Sequence, residues 1–243
     1  MLLKKIAGLC LIVGLLSLAS CKQDKDTYPL NFEYAYAPVD TGNYVIYDVD
    51  SIFFNYVKPT QFRDTQSYQV KEIIADTFYD AQSRLNYVLE RYKRKGVTES
   101  WNFDRKWYAY KSRLTYERVE DDLRFVKLVF PPTLDAHWNG NNYIVANDSS
   151  LLKSYSGWDY HYTEINVPKT INGLSFDSTL TVSEVEEEDL INKRLSNCVY
   201  AKNVGLVYKE WEILNKQDVA SSWDNPNKVT GFRIRMRVNS YRK

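Results

Sequence analysis

Two histidines and three cysteines are all that this 243-residue chain carries of the residues that most often ligate metals or attack substrates. They fall in no CxxC, HxH or HxxxH spacing, so the sequence predicts no metal site. His137, near Asp135, and His161, near Asp159, read as ordinary surface or cleft residues; a metal site made of both with Asp135 or Asp159 is the alternative. There is no GxSxG elbow, and no Walker or dinucleotide-binding fingerprint, so no cofactor is expected. The acids cluster at 120–122 and 186–189. Adjacent acids suit a turn or a helix start, whereas a glycosidase needs two carboxylates facing each other across a cleft. The expectation is a non-enzyme with no catalytic residues. Charge of one sign is also lacking. There are 32 basic and 31 acidic residues, which leaves nothing to hold a phosphate backbone and argues against nucleic acid as a partner. With nine glycines and seven prolines the chain has no low-complexity stretch, and no repeat is visible.

One apolar run breaks this pattern. Lys4 and Lys5 precede residues 6–18, an apolar segment too short to span a membrane of ~30 Å comfortably, as in a secretory signal. It ends at Leu18-Ala19-Ser20-Cys21, and the chain turns polar at once in Lys22, Gln23, Asp24, Lys25 and Asp26. These four residues resemble the lipobox of bacterial lipoproteins. The resemblance implies cleavage before Cys21, a diacylglyceride on its thiol and an acyl chain such as palmitate on the new amine. Two or more buried chains hold a protein on a membrane stably. The domain reading is therefore a signal peptide at 1–20, a polar tether at 21–30 and one globular domain at 31–243. Lys22 after the cysteine implies an outer-membrane address in the cell envelope, on the periplasmic or the surface face. Cys10 leaves with the signal and Cys21 is lipidated, so Cys198 has no partner for an intrachain disulfide.

The body is rich in Tyr (20), Trp (6) and Phe (10). Residues 43–57 and two segments flanking 80–83 read as strands. Turns fall at 120–122 and at Asn172-Gly173, the strongest short-range hairpin signal of the chain. Ile234, Met236 and Val238 alternate with Arg233, Arg235 and Arg237, as in a half-exposed strand. Ile191, Leu195 and Cys198 fall at i, i+4, i+7, which predicts one helix near 188–202, stopped by Asn203 and Gly205. About ten strands and one helix make a mainly β fold. The expected architecture is an antiparallel meander curling into a partial barrel with the helix against it; the alternative is a closed, lipocalin-like barrel.

Two further segments, His137-Trp138-Asn139-Gly140-Asn141 and Tyr200-Ala201-Lys202-Asn203-Val204-Gly205-Leu206-Val207-Tyr208-Lys209-Glu210, resemble a group of Bacteroidetes-type envelope lipoproteins with a W-N-G-N loop and a Y-A-K-x-V-G-L-V-Y-K-E segment. The V-G-L-V element is more weakly similar to lipoprotein-carrier proteins, whose curved sheet cradles acyl chains. Neither resemblance implies a catalytic set. Trp101, Trp107, Tyr110 and Trp138 are candidates to line a groove for lipid or glycan, since aromatic faces bind both; packing within a β-core is the alternative. Asp50-Ser51-Ile52 and Asp177-Ser178-Thr179 resemble a short Bacteroidetes O-glycosylation pattern, making Ser51 and Ser178 candidate sites. The functional expectation is a lipid-anchored envelope protein that binds an apolar or glycan ligand or an envelope protein partner, with the membrane held through Cys21. A structural lipoprotein without a pocket, or an envelope hydrolase using His137 or His161, are the alternatives.

Overall fold

The computed structural model describes residues 31–55, 63–146 and 152–243. The predicted signal, Cys21 and the whole tether lie outside the described residues. Twelve strands follow in sequence: β1 (Tyr44–Asn55), β2 (Arg63–Tyr79), β3 (Leu85–Arg94), β4 (Asn102–Lys111), β5 (Thr115–Glu120), β6 (Leu123–Val129), β7 (His137–Trp138), β8 (Tyr160–Ile171), β9 (Leu174–Glu188), β10 (Asn192–Ala201), β11 (Gly205–Lys216) and β12 (Val229–Arg242). They form one antiparallel sheet in the order β6-β5-β4-β3-β2-β1-β12-β11-β10-β9-β8-β7. Two meanders, β1–β6 and β7–β12, are thus joined where the first strand pairs with the last. The sheet curls until β6 and β7, its two edges, meet. The fold is the mainly β partial barrel expected.

The turns lie where local chemistry puts them. Asn172 (φ 51°) and Gly173 (φ 82°) form the two-residue link from β8 to β9, and Asp121 (φ 48°) and Asp122 (φ 65°) the link from β5 to β6. Both adopt the left-handed backbone that Asn, Asp and Gly tolerate. On β12 the arginines meet acids across the sheet: Arg233 stands opposite Glu212 and Arg235 opposite Glu210, while Arg237, opposite Asp48 of β1, pairs diagonally with Asp50. This charged ladder covers one face of the sheet's centre, while Met236 and Val238 are buried on the other.

The helix near 188–202 does not form. Residues 192–201 are strand β10, paired with β9 and β11. Asp189 turns the chain instead: its carboxylate accepts the backbone N–H of Ile191 and of Asn192, at 2.8 and 2.7 Å. Leu190 and Ile191 sit exposed at this tip. The inward residues of β10 are Ser196, Cys198 and Tyr200, spaced by two. Ser196 is polar and hides that alternation; its hydroxyl is buried because it donates to Glu184 at 2.6 Å.

The main core gathers Ile74, Leu89, Trp107, Tyr116, Leu128, Trp158, Tyr160, Tyr162, Leu180, Val182, Cys198 and Tyr200, together with Tyr36 from the segment before β1. Tyr36 is fully buried, and its hydroxyl donates to the Asn166 side chain at 2.8 Å.

The two edges close without a strand ladder. On β6, the Val126 N–H donates to the Gly140 carbonyl (2.8 Å) and the Val126 carbonyl accepts the Trp138 indole N–H (2.8 Å). Tyr162 completes the seam. Its hydroxyl donates to the Val129 carbonyl (2.6 Å) and accepts the Val129 N–H (2.9 Å). The W-N-G-N stretch is therefore structural. Asn139 accepts the Asn141 N–H, and Asn141 binds the Tyr155 carbonyl and the Tyr160 hydroxyl. Gly140 has no room for a Cβ, which would stand 2.4 Å from the Tyr160 ring. A closed lipocalin-like ladder is thus replaced by a side-chain seam.

Candidate functional site

A cavity of about 350 Å³ opens within the curl, at the small end of the usual range for ligand pockets. Strands from nearly the whole sheet line it, with Tyr155 and Trp158 contributed by the connection from β7 to β8. Seven aromatic side chains line it, among them Trp107, Phe125, Tyr155, Trp158 and Trp211. The charged lining comprises Arg91, Lys93, Arg105, Lys127 and Lys209 against Asp104, Glu120, Asp121 and Glu184, an excess of one cation.

Most of these charges are spoken for. The Arg91 guanidinium lies 3.9 Å from the centre of the Trp107 ring, and Arg118 lies 5.2 Å from it. Both arginines reach Glu72, at 3.3 and 3.0 Å, and Arg118 also meets Glu120 at 2.9 Å. Burial by itself would raise the Glu120 carboxyl; the neighbouring cations, led by Arg118, outweigh it and hold the group at about 2. The Trp107 indole N–H donates to Asp121, which also holds Arg105.

Two β-bulges supply the deepest ion pair. The β5–β6 register passes from Tyr116↔Leu128 to Glu117↔Val126, leaving Lys127 as an extra residue. The β9–β10 register passes from Ser196↔Val185 to Asn197↔Ser183, leaving Glu184 extra. Both side chains keep to the inward face of their strands, Lys127 after Leu123 and Phe125 and Glu184 after Leu180 and Val182. Lys127 Nζ and Glu184 Oε1 meet at 3.0 Å, with 4% and 1% of their side chains exposed. Burial would raise Glu184 too, but Lys127, Lys209 and the Ser196 hydroxyl keep it below the usual carboxylate value.

Two lysines differ from the rest: Lys93, whose ammonium lies 3.6 Å from the centre of the Tyr68 ring with no ion pair among the described residues, and Lys209. The Lys209 ammonium lies 4.9 Å from the centre of the Trp211 ring, and no carboxylate stands within 4 Å of it among the described residues. Burial pushes its pKa down, but Glu184, Cys198 and Glu120 raise it more, so it stays charged at neutral pH. The Trp211 indole nitrogen beside it is buried with no acceptor. The cavity wall thus carries lysine ammonium groups without a direct anionic partner among the described residues.

Of the aromatic residues predicted to line a groove, only Trp107 reaches this cavity. Trp138 belongs to the seam and packs on Tyr160 and Tyr162. Trp101 lies under the Arg94 guanidinium, and Tyr110 under that of Arg84. Tyr110 stands opposite in parity to the inward Trp107 and Ala109 of β4, so it faces away from the interior. Tyr155, Trp158, Trp211 and Lys209 carry no local sequence signal; only the closing of the sheet brings them together.

Ser51 is 1% exposed and faces the Gln66 carbonyl within the sheet, so a glycan has no space there on the folded chain. Ser178 is half-buried and bonded to Tyr36 and Asn166. Cys198 is sealed in the core, and burial pushes its thiol up to about 12, which makes it inert as a nucleophile at neutral pH. The two histidines are brought together on the outside of the barrel. His137 and His161 stand directly opposite each other across β7 and β8, with Asp159 beside them.

No family model matches the chain, and no curated protein matches it. A solved structure similar to it is that of a Bacteroides fragilis protein described as exported, with a YmcC-like fold. It is 9% identical, covering 85% of this chain and 98% of that one, with a TM-score of 0.40. So loose a likeness assigns no function.

Proposed function

We propose that this protein is a lipid-anchored component of a bacterial outer membrane that binds a glycan bearing an acidic group inside its curled sheet. The observation that carries the ligand reading is Lys209. It is a charged lysine on an aromatic-walled cavity with no carboxylate against it. Aromatic faces accept the apolar faces of sugar rings, and a lysine ammonium with no carboxylate against it suits a carboxylate or sulfate on such a ring. A plain acyl chain would leave that ammonium unanswered and would cover the other cavity charges with hydrocarbon, at a cost. The anchor reading rests on the lipobox-like Leu18-Ala19-Ser20-Cys21 and the polar residues after it.

Tryptophan fluorescence of the full chain, titrated with uronic-acid oligosaccharides and with neutral ones of equal length, tests the ligand. Saturable quenching by the acidic series, weakened at least tenfold in Lys209→Met, is expected. Equal response to both series, or an unchanged affinity in the variant, would overturn it. For the anchor, radiolabelled palmitate should enter the wild-type chain and not Cys21→Ser; equal labelling of both would refute it.

A further inference from the structure

We propose that His137, His161 and Asp159 form a Zn²⁺ site on the outer face of the barrel, and that the bound ion clamps the edge strand β7 onto β8. The inference is independent of the cavity and of any ligand in it.

The geometry comes from strand alternation. In β7, Trp138 points inward to Tyr160 and Tyr162, so His137 points out. In β8, Tyr160 and Tyr162 are buried, so His161 points out. The two imidazoles therefore face each other across the pairing, with ring centres 4.9 Å apart and planes 17° from parallel. One potential ligand atom from each of His137, Asp159 and His161 lies within 4.8 Å of those of the other two.

Asp159 already orders both rings. His161 Nδ1 lies 3.0 Å from the Asp159 carbonyl, which can only accept, so Nδ1 carries the proton. His137 Nδ1 lies 2.8 Å from the Asp159 carboxylate, which assigns its proton in the same way. In the neutral imidazoles, Nε2 of each ring then bears a lone pair available to a metal. A second-atom hydrogen bond to a carboxylate or carbonyl is the arrangement that orients metal-binding histidines and raises their basicity. Two imidazole Nε2 atoms suit Zn²⁺, with Asp159 holding His137 through its other nitrogen and water completing the ion's shell. Stacked rings aim their in-plane lone pairs side by side, so binding turns the His137 ring toward His161, and its side chain, 55% exposed, has room to turn.

The site's position gives the ion a mechanical consequence. Strand β7 is two residues long, and it carries Trp138 and leads to Gly140, the two residues that hold the Val126 backbone of β6. An ion bridging His137 to His161 fixes that short strand, and with it the seam.

Calorimetric titration of Zn²⁺ into the full chain, purified without a histidine tag, tests the site. One ion per chain is expected, with affinity reduced at least a hundredfold in His137→Gln/His161→Gln and roughly tenfold or more in Asp159→Asn. Asp135→Asn should bind as the wild type does. These side chains lie at the surface, and circular dichroism without metal should show both variants folded. Equal affinity in the double variant overturns the site. The clamp is read by hydrogen exchange at the Val126 amide, which Zn²⁺ should slow in the wild type and leave unchanged in the double variant. Binding without that slowing overturns the clamp.

Discussion

Replacing Lys127 by Met should be the most damaging single change in the cavity wall. The substitution keeps length and apolar volume and removes only the ammonium. Glu184, 1% exposed, then loses the cation 3.0 Å away. It keeps the Ser196 hydroxyl and the more distant Lys209. Breaking a buried pair from one side costs about 3–5 kcal/mol, because the remaining charge stays desolvated. For a domain of this size that corresponds to a fall of roughly 6–20 °C in Tm. Urea unfolding followed by tryptophan fluorescence should show a lower midpoint with an unchanged slope. The pH dependence carries a sign. In the wild type the Glu184 carboxyl is held below its unfolded value of about 4.3, so it contributes stability above that pH and loses it as pH falls. In Lys127→Met burial pushes the carboxyl up, and protonation relieves the uncompensated charge. The gap between variant and wild type should therefore narrow on acidification from neutrality. Adding Glu184→Gln, which keeps an acceptor for Ser196, should recover most of the loss. A single variant within about 1 kcal/mol of wild type, or a double variant no more stable than the single, would refute the reasoning.

Gly140→Ala should cost about 1–3 kcal/mol, because its Cβ would stand 2.4 Å from the ring of the fully buried Tyr160, whose hydroxyl is held by Asn141; wild-type thermal stability would refute it. The Cys198 thiol should react with a disulfide reagent only at the rate of unfolding, since it is 1% exposed and pushed up to about 12. Rapid labelling of the native chain would contradict that. Glu120, held at about 2, contributes stability that is present above its unfolded value of about 4.3 and is lost as pH falls toward 2. Arg118→Met should therefore shift the acid-unfolding midpoint upward, and an unmoved midpoint would show that the pair carries no such linkage.

Much of the sheet could be read from residues because its signals are local. Asn172-Gly173, Asp121-Asp122 and the alternation at 233–238 each depend on near neighbours. The helix expected near 188–202 shows where local reading fails. Leu195 and Cys198 match a helical period only because the inward position between them is Ser196, whose polarity is balanced by a glutamate on another strand. The cavity was legible at Trp107 alone. Lys127 and Glu184 keep the inward spacing of Phe125 and of Val182, but a charged residue at such a place reads as outward-facing until its partner on another strand is known. The His137–His161 pairing needs the register of a two-residue strand, 24 positions apart in sequence, and no spacing rule contains it.

The seam between β6 and the W-N-G-N stretch has a bearing on solubility. An open sheet ends in backbone groups that will pair with any extended chain, and that is how sheets template aggregates. Here both backbone groups of Val126 and both of Val129 are already occupied, by a loop carbonyl, an indole and a phenol. Those partners end the sheet instead of extending it. A crowded surface can hold many copies of such a barrel side by side without offering a strand to join.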